Sequence, residues 1–225
     1  MTRLTCDISM SIDGFVAGPN QTVERPLGEG GDRLHEWAFS LASWRERHGL
    51  SGGEANPDGE VVEESLRATG AVVMGRRMFS GGEGPWKDDP RSDGWWGEDP
   101  PFRVPVFVLT HHARETVAKQ GGTSFTFVTD GIEAALEQAR AAAGDKDVAL
   151  AGGATIAQQY LEAGLLDELQ IHLVPVLLGD GVSLFDRLGF GPIGLEATRV
   201  IASPSVTHLR LRVVKDTLRE TGGTP

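Results

Sequence analysis

The sequence predicts an α/β protein: one central, mostly parallel sheet, closed by an antiparallel C-terminal hairpin, with helices on both faces. Three observations predict it. Short apolar runs such as Ala71–Gly75 (AVVMG) and Val104–Thr110 (VPVFVLT) have the length of strands buried on both faces, as a parallel sheet requires. Helical patterns separate such runs through the middle of the chain. The C-terminal part instead alternates, with Leu209, Leu211 and Val213 set against Arg210 and Arg212.

The elements follow in order. Arg3–Ile12 reads as a strand that runs into a glycine-rich loop, Asp13–Thr22. Gly28–Gly49 reads as a helix, because Leu34, Trp37, Leu41 and Trp44 share one face at helical spacing; Asp32 is its cap and Gly49 its stop. Glu60–Gly70 is a short helix with Val61, Val62 and Leu66 inward, and leads into the Ala71–Gly75 strand. Ser80–Pro105 has no periodicity. Its Trp86, Trp95, Trp96 and Phe102 need a surface to pack on, which suits a functional lid. Ser124–Thr129 is a strand. Asp130–Gly144 is a helix capped by Asp130, with Glu133 completing a capping box and Ile132, Leu136, Ala139 and Ala143 inward. Val148–Gly153 is a strand and Thr155–Gly164 a helix. Leu166–Gly181 is a strand that Pro175 bends, bulges or leaves at an edge. Gly194–Ser203 and Val206–Lys215 form the closing antiparallel pair. A single domain is expected over residues 1–225, with its core at about 4–214 and a frayed tail at about 217–225.

Composition narrows the partners. The chain has 225 residues and a formal net charge of -11. Such a field repels phosphate backbones and anionic membranes, so neither nucleic acid nor a membrane is an expected partner. Cys6 is the lone cysteine, which rules out an internal disulfide and cysteine-rich metal sites. The polar N-terminus and the lack of a roughly 20-residue apolar run point to a cytoplasmic protein.

Three strand ends carry chemistry. Gly152 and Gly153 stand where an apolar strand meets a helix. They make either a tight turn or a place where phosphate oxygens meet the backbone, with Ala154, Thr155 and Ile156 offering amides. Arg76 and Arg77 follow Gly75 at the end of the Ala71–Gly75 strand; a guanidinium suits phosphate through its planar fork of donors. Thr110, His111, His112 and Arg114 follow another buried strand. Adjacent histidines in extended backbone point apart, so a phosphate-facing role or plain exposure is favoured over metal, and no metal site is expected. One ligand bearing several phosphates accounts for all three.

The segments ISMSIDGFVAG, VVMGRRMF, VFVLTHH and VALAGGATIAQQYLEAGLLDELQIHLVPVLLGDGVSLF resemble, in order and spacing, the dihydrofolate reductase-like fold. More closely, they resemble the reductase domain of the riboflavin-biosynthesis deaminase–reductase family, from about Leu4 to Val214. The resemblance implies NADPH as hydride donor and a small heterocyclic or ribosylamino-pyrimidine substrate. It places pyrophosphate on Gly152, Gly153, Ala154, Thr155 and Ile156. Ribose and phosphate contacts fall on Met74, Gly75, Arg76 and Arg77, and the adenosine phosphate on Leu109, Thr110, His111 and His112. Ser11 to Gly18 borders the nicotinamide, and His172 lies on the strand beneath it. The resemblance also implies a homodimer, for which LQIHLVPVLL is apolar enough.

Asp13, beside the expected nicotinamide, is the candidate proton donor. Trp37 and Trp86 are candidates to floor or cover the substrate. The chain departs from dihydrofolate reductases at Leu34, where they carry an acid; Asp32 and Glu36 lie about 200° out of phase on a helix. That weighs against a pterin substrate. A nucleotide-binding module without turnover is the alternative. The deaminase signature H-x-E with P-C-x-x-C does not occur.

Overall fold

The computed structural model describes residues 2–80, 84–86, 93–186, 188–189 and 191–215. The expected frayed tail and parts of the Ser80–Pro105 loop lie outside the described residues. In chain order the elements are β1 (Leu4–Ser11), β2 (Phe15–Ala17), α1 (Glu36–Phe39), α2 (Ala42–Arg47), α3 (Pro57–Ala68), β3 (Thr69–Gly75), α4 (Arg76–Ser80), β4 (Pro105–Leu109), β5 (Val117–Ala118), β6 (Ser124–Val128), α5 (Gly131–Ala143), β7 (Asp147–Ala151), α6 (Ala154–Glu162), β8 (Glu168–Val174), β9 (Val182–Ser183), β10 (Gly194–Ala202) and β11 (Thr207–Val214).

Nine strands form one sheet in the order β10-β11-β8-β1-β7-β3-β4-β6-β5. From β8 to β6 every neighbouring pair is parallel; β11 joins β8 antiparallel and β10 joins β11 antiparallel. The carboxyl ends of β1, β8, β7, β3, β4 and β6 therefore share one rim. This is a dihydrofolate reductase-like sheet, with helices on both faces.

The two faces differ. On one, α5 and α6 cover a continuous core that takes in Leu4, Cys6, Val73, Leu136, Val148, Leu150, Tyr160 and Leu169. On the other, the cover is split. Phe79, Phe125 and Phe127, with Trp86, Trp96 and Phe102 against them, lie over β3, β4 and β6. Leu34, Trp37 and Leu41 lie with Val174 at β8 and Val206 beside β11. Between these two patches β1 pairs with β7 at only three positions, Leu4 to Cys6, while pairing with β8 at seven. From Asp7 onward β1 runs past the end of β7 at Ala151, which leaves a gap in the carboxyl rim beside β1.

The Gly28–Gly49 helix is corrected. The chain makes a 3₁₀ turn at Gly31–Leu34, then α1, then α2, broken at Leu41, whose ψ of 137° is extended. Leu34, Trp37 and Leu41 are buried all the same. Broken turns let all three reach the core, and Asp32 sits inside the 3₁₀ turn with no capping role. Asp130 occupies the cap position of α5 without a side-chain hydrogen bond. Asn56 does cap α3, accepting from the Gly59 amide at 3.1 Å, with Pro57 pre-set at the first helical position. Pro175 ends β8 rather than bending it. In LQIHLVPVLL, Leu169, Ile171 and Val174 are buried in the chain's own core, Leu173, Val176 and Leu178 are half-buried, and Leu177 is 71% exposed.

Candidate functional site

The ends of β7, β3 and β4 are neighbours, each about 5 Å from the next. They bring together Gly152 and Gly153, then Arg76 and Arg77, then Thr110 and His111. Gly153 precedes α6 with φ 76° and ψ 122°, and a β-carbon there would meet nothing within 4 Å. Gly152 also has positive φ, but its β-carbon would point at Met78 Sδ, 2.9 Å away. The pair is therefore both readings at once: Gly152 makes the turn against α4, and Gly153 leaves an open approach to the first amides of α6. Those amides have no partner within the helix and carry its positive dipole end. Thr155 is exposed at this turn, whereas the side chains of Ala154 and Ile156 are buried, so those two residues have only backbone to offer.

Arg76 is half-buried. Its guanidinium lies 3.2 Å from the centre of the Trp86 ring and donates to Ser80 Oγ at 2.6 Å, while its Nε is buried without a hydrogen-bond partner. Arg114 approaches the same ring at 5.0 Å. Burial, and then the charge of Arg114, pull the Arg76 pKa down. Arg114 is already paired with the Asp93 carboxylate, to which it donates, so an anion at this site is expected to meet Arg76. Arg77 and His111 are exposed on the same rim. Thr110 is buried and its Oγ1 accepts from the His112 amide at 3.2 Å, shaping the loop rather than facing outward.

Several expected contacts are corrected. Met74 and Ser11 are 0% exposed, and the Ser11 hydroxyl accepts from the Phe15 amide at 2.9 Å. Neither side chain can touch a ligand. Gly18 is buried where a β-carbon would lie 1.9 Å from the Glu29 carbonyl, so its own chain explains the glycine. Asp13 accepts the amides of Leu178 and Gly179 at 3.2 and 2.8 Å, tying the loop after β1 to the loop after β8. The Ser11 hydrogen bond, joined by these amides, holds its carboxyl below the usual aspartate range. A carboxylate so held is a poor proton donor. Trp37 is buried and donates from Nε1 to Leu34 O and Ser9 Oγ, and Trp86 belongs with Arg76 on the far side of β7. The two tryptophans do not share a pocket. His172 is 3% exposed and cannot meet a cofactor directly.

His172 instead joins a buried polar chain that the sequence reading missed. On β1 the residues Asp7, Ser9 and Ser11 point away from the continuous core, and His172 on β8 and His208 on β11 stand beside them in register. Asp7 Oδ1 lies 2.5 Å from His172 Nε2; His172 Nδ1 lies 2.6 Å from His208 Nδ1; His208 Nε2 lies 3.0 Å from Asp58 Oδ1. The Ser203 hydroxyl donates to Asp58 Oδ2 at 3.0 Å. Trp37 packs on both imidazoles, 4.7 and 5.2 Å between ring centres. Burial raises the Asp7 pKa, but the neighbouring His172 charge and hydrogen bond outweigh it, and the net direction is down. Burial also pushes His208 down, with the charge of His172 adding to it. The sequence did carry a signal, a polar face on a central strand. Asp58 was hidden in an apparent turn, NPDG, that is the capped start of α3.

Among the described residues no group of three or more His, Cys, Asp or Glu could hold a metal ion, and no helix is long and apolar enough to cross a membrane.

The family profile described as the RibD C-terminal domain matches residues 2–212. The riboflavin biosynthesis protein RibD of Corynebacterium ammoniagenes is 34% identical over 187 residues, covering 81% of this chain but 45% of that protein; the chain thus spans about half the length of this relative. YyaP of Bacillus subtilis (strain 168), an uncharacterized protein, is 23% identical over 193 residues, 81% of this chain and 80% of that one. Among solved structures, a Shewanella sp. PV-4 protein attributed to riboflavin biosynthesis superposes with a TM-score of 0.59 at 23% identity, covering 95% of this chain and 99% of that one. The riboflavin biosynthesis reductase Rib7 of Saccharomyces cerevisiae superposes with a TM-score of 0.52 at 13% identity, covering 95% and 89%.

Proposed function

This chain belongs to the RibD C-terminal domain family, and from that premise we propose that it is an NADPH-dependent reductase of the riboflavin type, acting on a small heterocyclic or ribosylamino-pyrimidine-like substrate. The observation that carries the proposal is the row of adjacent strand ends β7, β3 and β4, where Gly153 opens the start of α6 beside Arg76 and Arg77. An open space over Gly153, an Arg76 Nε that is buried with no hydrogen-bond partner among the described residues, and the N-terminal end of α6 fit the phosphates of a dinucleotide. When bound, NADPH supplies a hydride.

The chain's own residues do the rest. Gly153 and the first amides of α6 hold pyrophosphate, and Arg76 and Arg77 hold the further phosphate that separates NADPH from NADH. The gap between β1 and β7 receives the reacting ring and the substrate. Asp13 fixes the loops at its mouth. A pterin is disfavoured, because Leu34, at the place of the folate-binding acid, is fully buried. A homodimer is also proposed, with LQIHLVPVLL contributing to its interface, and light scattering tests it.

Calorimetric titration with NADPH and NADH, followed by turnover against pyrimidines, pterins, quinones and small carbonyls, tests the function. Arg77→Ala should weaken NADPH about tenfold or more and leave NADH nearly unchanged, since a charge-assisted bond contributes about 1.5–3 kcal/mol. No heat with either nucleotide refutes the proposal; equal losses refute the role of Arg77.

A further inference from the structure

Proton counting along the buried chain gives a definite result. Each Nε2 faces a carboxylate, Asp7 or Asp58, and must carry a hydrogen. The Nδ1···Nδ1 contact of 2.6 Å needs one hydrogen between two nitrogens. Three protons on two imidazoles leave one ring charged. With His208 as the neutral member, its Nε2–H on Asp58 and its Nδ1 lone pair turned to His172, His172 is the ring that donates from both nitrogens.

The chain has a single opening toward the rim. His172, His208 and Asp58 side chains are 4%, 1% and 5% exposed, but Asp7 is 32% exposed. Asp7 stands one residue beyond the last β1–β7 pair, level with the end of β7, and Gly152 is the first residue after β7. The same gap receives the reacting ring in the reading above.

We propose that the Asp7–His172 pair is the proton donor of the reduction, with His208 and Asp58 as positioning residues that keep His172 charged. The proposal rests on the reductase reading. Hydride adds to the carbon of a polar double bond, and the π pair moves to the heteroatom. Asp7 takes the Nε2 proton of His172, becoming a carboxylic acid, and passes that proton to the heteroatom, returning to a carboxylate. His172 is left neutral with a lone pair against a carboxylate, so a proton from solvent returns through Asp7 once product has left. Other charged groups face the chain: Glu64 from α3, Arg210 from β11, Glu168 from β8, and His35, with Asp32, from the segment before α1. Glu64 is held by Arg210 and Arg199, and Arg210 also reaches Gln170, so these charges are balanced among themselves.

The experiment joins two readouts. Nitrogen-edited NMR on histidine-labelled protein, without ligand at neutral pH, should show one imidazolium and one neutral ring in the pair. Two neutral rings overturn the proposal. Asp7→Asn should lower kcat about 100-fold or more with NADPH affinity unchanged, the usual scale of a lost general acid. Asp7→Glu should restore part of it. Asp58→Asn should leave NADPH affinity intact and displace the pH profile of kcat, which a merely structural role would not do. Asp7→Asn with undiminished kcat overturns the donor role alone. An imidazolium in a protein that binds NADPH but reduces nothing overturns the reductase reading, and the donor role with it. Melting curves of each variant establish that it is folded.

Discussion

Gly152 and Gly153 look alike in the sequence and differ in space. Both have positive φ, so a methyl group at either strains the backbone by about 1–2 kcal/mol. At Gly152 the methyl would meet the flexible end of Met78; at Gly153 it would stand in the open approach to α6. Gly152→Ala and Gly153→Ala should therefore lower Tm by similar amounts, roughly 2–8 °C for a chain of this size. Only Gly153→Ala should also weaken dinucleotide binding severalfold. Similar affinities in the two variants would contradict the assignment. Residue type singled out Arg76, Arg77, Gly152 and Gly153 as candidates for phosphate, because arginines and a glycine pair stand at neighbouring strand ends. It did not announce the reach of Asp13 to Leu178 and Gly179, since partners 165 and 166 positions away leave no local trace.

The helices and central strands were legible because each carries its own periodicity. The α6 pattern is an example: Ile156, Ala157, Tyr160 and Leu161 are all buried. Short elements were not. β2, β5 and β9 span two or three residues, too few to show a period, and they exist because neighbours pair with them. The break at Leu41 was hidden for the opposite reason: a helical spacing was present, but the turns carrying it are not one helix. Tyr160 shows how an element is docked. Its ring is fully buried and its hydroxyl donates to Ile132 O at 2.7 Å, joining α6 to α5. Burial pushes its ionisation upward. Tyr160→Phe leaves that carbonyl short of a donor and should cost about 1–2 kcal/mol, read as a fall in Tm of roughly 2–8 °C. An unchanged Tm would mean water takes the hydroxyl's place without loss.

For the whole molecule, acid is the vulnerable direction. Asp7, Asp13 and Glu64 have folded pKa values below their ordinary 3.8 and 4.5, so the stability they contribute is present above those values and lost as pH falls through the folded ones. His208 is depressed from 6.5; the unfolded chain binds its proton first, and stability declines as pH drops from that point. Through these four groups Tm should fall as pH drops from about 6.5, and fall faster near 4. A Tm that rises between pH 7 and 4 would contradict this account. At this scale the phosphate-facing half of the site was readable, being built on three consecutive parallel strand ends. The proton-bearing half was not, because it assembles Asp7, Asp58, His172 and His208 from β1, α3, β8 and β11.

The brief pairing of β1 with β7 has a mechanical consequence. Three rungs are the shortest ladder between parallel strands of the sheet, and the apolar layer under α5 and α6 crosses that joint unbroken while the opposite cover does not. Bending therefore pivots on the sealed side and widens or narrows the other. A guest seated there is gripped by rotation of two stiff halves, with little rearrangement inside either, and its presence should slow amide exchange at residues 4–6 and 148–150 more than in the flanking strands.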